Sequence, residues 1–288
     1  MLLLLLVSIV WAFSFGLIKK LAGIDPTIVA TLRLVLAFAV FLPLARLKHI
    51  APGMKLRLAA IGAVQFGVMY VLYLSAFKYL QSFEVALFTI TTPFFVALLD
   101  GALRRRFIVS HALAALLSVG GAAIIVWHHV VTRHGLLGVL LVQASNLCFA
   151  VGQIAWRQTR RSLDPAVSDS SVFALPYGGA LLVSGVSTFF TTSWAAVHIT
   201  MVQALTLVYL GIIASGVCFF WWNIGATRVN AGTLAVFNNV KIPLAVAVSL
   251  LVFGEHADVR RLAMGGLLML CGVVFAEFAK APDVSLAT

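Results

Sequence analysis

The chain has 288 residues, of which 62% are hydrophobic and only 10% charged, with a formal net charge of +11. A soluble domain carries about 25% charged residues, so this composition excludes a soluble enzyme or binding module and indicates a bilayer protein. The positive charge does not indicate nucleic acid: Lys and Arg lie in short clusters between apolar segments, where they set topology and meet anionic headgroups.

About 20 apolar residues cross a bilayer, and the expected spans are 2–22, 27–46, 57–78, 83–103, 108–128, 135–156, 170–191, 202–224, 231–253 and 262–280. The first, MLLLLLVSIVWAFSFGLIKK, has no basic n-region and no small-x-small cleavage site, so it reads as an uncleaved helix. Ser8, Trp11 and Ser14 share one of its faces. Asp25-Pro26 marks a turn, and Arg33 follows about 9 Å into the second span. It can face a cavity, snorkel to the outer interface or tie helices together. The third span carries Tyr70 and Tyr73, and the fourth carries Thr89, Thr91 and Pro93.

After the fifth span, His128, His129 and His134 form a polar loop without the donor set of a zinc site. Gln143, Asn146 and Gln153 share one face of the sixth, with Trp156 further along, and Trp222 and Asn223 lie on the eighth. Such amide and aromatic groups either line a polar pocket or hydrogen-bond between helices. The three cysteines, Cys148, Cys218 and Cys271, lie in apolar segments without metal spacing and read as packing residues.

The ninth span is the most unusual, with Asn238, Asn239, Lys241 and Pro243 near its middle. A lysine at that depth costs roughly 2.5–3.5 kcal/mol, and a proline frees a backbone carbonyl. Lys241 and Asn238 form a donor-rich patch suited to a carboxylate or another anion, the alternatives being a structural lysine bonded to carbonyls near Pro243 or one kept neutral by burial. Pro93, Pro243 and Arg33 are the expected helix-break or gating positions. Glu84, Asp100, Glu255, Asp258 and Glu277 all fall near span ends, so coupling through a central carboxylate is not expected.

With the N-terminus inside, cytoplasmic connections hold twelve Lys and Arg residues and external ends hold six, which favours both termini in the cytoplasm. Residues 58–126 align on 208–276 without a gap, placing Pro93 on Pro243, Thr91 on Lys241 and Arg105 on Glu255. Five spans per half make the repeat inverted, in two units, 1–130 and 135–280. The expected prolines then stand at equivalent depths on opposite sides of one cavity.

The opening WAFSFGLIKKLAGIDPTIVATLRLVLA, with Trp11, Ser14, Lys19, Pro26 and Arg33, resembles the first two helices of the EamA domain of the drug/metabolite transporter superfamily. ALFTITTPFFVALL and LAVFNNVKIPLAVAVSLLVFGE resemble its fourth helix, once per half. The chain departs from that pattern at Arg105, where an acidic residue is usual, and at Lys241, which is not a general feature of it.

The resemblance implies an all-α integral membrane protein of ten transmembrane helices in two inverted five-helix repeats. It implies alternating access for small metabolites such as amino acids or other carboxylates, expected here as export across a bacterial-type inner membrane. Substrate-binding candidates are Lys241, Asn238, Asn239, Asn146, Gln153, Trp11, Ser14, Tyr73, Trp222 and Asn223. A membrane-embedded lipid-modifying enzyme and a non-transporting scaffold or receptor are the alternatives. No catalytic residue, cofactor or metal is expected. The expected partners are a small-molecule substrate and the lipid bilayer, with room for a homodimer and without nucleic acid.

Overall fold

A computed structural model describes residues 2–103, 133–192, 197–229, 231–256 and 258–278, together with residues 117, 120, 121 and 124. Apart from those four residues the fifth expected span lies outside the described residues, as do Arg105, His128 and His129 and the side chains of His134 and Asn239.

Every regular element among the described residues is helical. They are α1 (Leu2–Lys19), α2 (Pro26–Leu44), α3 (Pro52–Ala76), α4 (Ser82–Phe88), α5 (Thr92–Leu103), α6 (Arg133–Ser162), α7 (Asp169–Thr191), α8 (Met201–Arg228), α9 (Ala231–Leu251) and α10 (Val259–Phe278). Six of them, namely α1, α2, α3, α6, α7 and α8, are long and apolar enough to cross a membrane within their described residues. Lipid cannot satisfy a bare peptide group, so a spanning chain keeps its backbone bonds inside helices. Large apolar side chains stand exposed on the outside, among them Leu182, Phe190, Leu205 and Leu267, as expected of a surface whose solvent is hydrocarbon.

The halves of the chain interlock: α1 packs on α9 and α8, α2 packs on α7 and α8, and α3 packs on α6 and α7. The α3–α7 crossing depends on glycine. A Cβ on Gly62 would lie 1.9 Å from the carbonyl oxygen of Pro176, and one on Gly179 would lie 1.9 Å from that of Ala59. Small residues of this kind let membrane helices approach backbone to backbone.

Two helices change pitch midway. Residues Ala63–Val68 of α3 and Leu210–Val217 of α8 form π-helical turns. The 150-residue offset of the repeat carries the first onto 213–218, so the two turns occupy matching places. Segment 83–103 divides into α4 and α5 through a 3₁₀ turn at Thr89–Thr91. Pro93 sits just inside α5, a position where proline is tolerated. The break expected at Pro243 is absent, since α9 continues through it as one helix. That proline is exposed.

Loop contacts form two groups. At one end Lys19 pairs with Glu255 at 2.8 Å, Lys78 with Asp25 at 3.4 Å, and Gln203 donates to the Ala22 carbonyl. At the other end the Arg46 amide donates to the Ser171 carbonyl and Arg160 pairs with Asp169 at 2.6 Å.

Candidate functional site

A cavity opens between α1, α2, α3, α6, α8 and α9, with the 3₁₀ turn at its edge. Helical spacing brings Trp11, Ser14, Phe15 and Ile18 of α1 onto its wall. Facing helices add Arg33, Tyr70, Tyr73, Asn146 and Lys241. No Asp or Glu lines it among the described residues.

Lys241 is 6% exposed. Its Nζ donates to Asn238 Oδ1 at 3.0 Å and stands 4.9 Å from the Trp11 ring centroid and 5.6 Å from that of Trp222. Ring faces attract a desolvated cation. An ammonium has three hydrogens, so the one hydrogen bond and two ring faces found among the described residues leave it able to donate to a further acceptor. The Trp11 ring is fixed by Nε1 donating to the Ala214 carbonyl at 2.9 Å. Among the described residues the ammonium is met by Asn238 and the two indoles.

Arg33 is 2% exposed and reaches the cavity instead of snorkelling outward. Nε donates to Ser215 Oγ at 3.1 Å and Nη2 to the Tyr70 hydroxyl at 2.9 Å. The π-helical turn of α8 presents Ser215, whose own hydroxyl donates to the Leu210 carbonyl five residues back at 2.7 Å. Such turns often mark functional sites.

Asn146 donates to the Phe88 carbonyl at 2.9 Å and to Thr91 Oγ1 at 3.0 Å. It thereby holds the 3₁₀ turn, whose Phe88 carbonyl also faces the Thr91 hydroxyl at 3.1 Å. Thr91 in turn donates to Gln143 at 2.6 Å. Ser14 donates to the Val10 carbonyl at 2.9 Å, so its proton is spent within α1.

Trp222, Asn223 and Gln153 lie behind the wall. Trp222 and Asn223 are fully buried, and Trp222 donates to Gln153 Oε1 at 3.3 Å. Gln65 donates to Asn223 Oδ1 at 3.1 Å. Pro93 is half-buried and neither proline lines the cavity, so the expectation that both wall one cavity is not met. Sequence reasoning missed Met69, Ser145, Phe149 and Phe219 on the wall. The apolar ones carry no mark that separates a cavity face from a lipid face, and a serine such as Ser145 reads equally as a helix-packing residue. Gln65 had a signal, being an amide in mid-span that the repeat aligns with Ser215.

The sequence pattern of the EamA-like transporter family matches residues 1–127 and again 136–278. The chain is 39% identical over 272 residues to a probable biotin transporter of Pseudomonas aeruginosa, covering 94% of this chain and 95% of that protein. It is 36% identical over 277 residues to a biotin transporter of Salmonella typhimurium, covering 95% and 91%. A biotin transporter of Escherichia coli K12 is likewise 36% identical over 280 residues, with the same coverage. A crystal structure 20% identical to the chain superposes with a TM-score of 0.69 over 96% of this chain and 95% of the other, which shows a shared fold.

Proposed function

This chain belongs to the EamA-like transporter family, a multi-pass membrane transporter and not an enzyme, and from that premise we propose that it carries biotin or a chemically similar small carboxylate through the cavity around Lys241. The observation that carries the proposal is a buried ammonium on the cavity wall with no carboxylate beside it among the described residues. A cargo carboxylate supplies the missing partner in a medium where the attraction is poorly screened. Trp11 completes the contact from the ring side. The names of the three relatives point to a cargo of this class. An amino acid fits less well, because its ammonium would meet Lys241 and Arg33 and no acid.

The proposed mechanism is alternating access by two inverted five-helix units, 1–130 and 135–280, in an inner membrane with both termini cytoplasmic. The paired family matches and the matching π-helical turns support the repeat. The two groups of loop contacts agree with the assigned sidedness. The cavity is the same for import and for export, so the proposal concerns passage of the carboxylate.

Flux of labelled biotin is the test. Purified protein in proteoliposomes should move biotin faster than empty vesicles, in whichever direction the gradient is imposed, and heptanoate in excess should slow it. Folded protein that moves no biotin and binds no carboxylate would remove this function.

A further inference from the structure

Arg33 carries an unused donor. Its Nη1 is buried without a hydrogen-bond partner among the described residues, while Nε and one hydrogen of Nη2 are engaged by Ser215 and Tyr70. The surrounding protons can be placed. Ser215 gives its only hydroxyl hydrogen to Leu210, so in the 2.9 Å contact between Tyr70 and Ser215 the tyrosine is the donor. Neither hydroxyl has a hydrogen left, and the free donors of this cluster are the hydrogens on Nη1 and the second hydrogen of Nη2. Leaving a buried donor of a charged group unsatisfied is costly, and no carboxylate lines the cavity among the described residues.

Arg33 and Lys241 are also held apart. Lys241 sits over Trp11, and the Trp11 ring lies 5.0 Å from that of Phe219. Phe219 lies 5.5 Å from Tyr70, and Tyr70 lies 4.7 Å from the guanidinium carbon of Arg33. A chain of contacts through three cavity-lining rings thus links the two cations.

We propose that Arg33 is the second recognition point for the cargo, donating from Nη1 to a neutral carbonyl oxygen at the end opposite the carboxylate held by Lys241. This rests on the carboxylate reading above and adds orientation and specificity to it. In the carboxylate reading the cargo's one anionic group is taken by Lys241, so the group that reaches Arg33 is neutral. The unpaired edge of the guanidinium then suits the oxygen of an amide, urea or ketone. The cargo so described has a carboxylate, an apolar waist lying along Trp11, Phe219 and Tyr70, and a neutral acceptor head.

Three probes separate these features in the full-length protein: biotin, heptanoate with no head group, and biotinol with no carboxylate. In the unaltered protein biotin should bind at least about tenfold more tightly than heptanoate. Arg33→Gln should remove that preference, weakening biotin by about tenfold and heptanoate by less than about twofold. Lys241→Met should weaken biotin and heptanoate together and leave biotinol unchanged. Equal affinity of the unaltered protein for biotin and heptanoate overturns the assignment of Arg33 while leaving the carboxylate reading in place. So does an equal loss of both ligands in Arg33→Gln. Absence of binding by either carboxylate overturns both readings, and the first comparison needs no variant to fold.

Discussion

Lys241 is the residue on which the proposed function is most exposed to test. Lys241→Met keeps much of the apolar stem and removes the charge, so folding should survive and flux per folded molecule should fall about tenfold or more. Lys241→Arg should restore only part of it, because a planar fork does not reproduce a compact ammonium. Unchanged flux per folded molecule in Lys241→Met would take Lys241 out of the pathway. Individual polar residues were legible because each is expensive in lipid: Lys241, Arg33, Asn146 and Ser14 stood out in an apolar chain, and all reach the cavity wall. What the sequence could not supply was depth behind that wall. Trp222, Asn223 and Gln153 share the same residue chemistry, but they hydrogen-bond one layer further back.

At the scale of elements, one contact joins the two halves at the end expected to be external. Gly254 adopts a left-handed turn with φ +65° after α9 and directs Glu255 onto the start of α4. The carboxylate accepts from the Ser82 and Phe83 amides, each at 3.1 Å, and meets Lys19 at 2.8 Å. Glu255 was legible as a helix-end contact or a loop charge, and the contact with α4 is the one formed. Burial alone would raise its pKa, but the Lys19 contact and the two amides outweigh it and hold the carboxyl below its ordinary value of 4.5. A lowered folded-state value means that the contribution is present above pH 4.5 and is lost as pH falls through the lower folded value. Glu255→Gln should therefore lower thermal stability at neutral pH by about 0.5–2 kcal/mol, as for a lost helix cap. The gap between variant and parent should close on acidification in a thermal-shift series. Glycine crossings are a second element-scale constraint. Gly179→Ala places a methyl against a backbone oxygen that cannot rotate away, so folded yield in membranes should drop, with a cost of about 1–3 kcal/mol or more. The crossing partner of a glycine is a long-range fact that spacing along one chain does not reveal, and the same holds for the π-helical turns, whose sequences carry no distinct signal.

For the whole molecule, sidedness is the open test of the arrangement. Lys78→Cys and Lys48→Cys are both at exposed positions, on connections expected at opposite faces. A thiol reagent that cannot cross membranes, added to intact cells, should label the first and spare the second until the cells are opened. The reverse pattern would invert the assigned topology. The broad architecture was legible because bilayer thickness dictates segment length and because the duplication repeats it at a fixed offset. The subdivision of segment 83–103 at Thr89–Thr91 was not, since proline spacing alone does not say whether a helix bends or divides.

A cavity walled by two cations and no described acid also has an electrical consequence. A carrier that binds a monoanion travels with less charge when loaded than when empty. The membrane voltage, worth about 2.3 kcal/mol per elementary charge per 100 mV, then acts most strongly on the return of the empty carrier. Net transport should respond to an imposed potential, whereas exchange of labelled for unlabelled cargo, which skips the empty return, should respond less. Comparing the two modes in potassium–valinomycin-clamped proteoliposomes would show the difference as a voltage-dependent rate in one and a flatter one in the other.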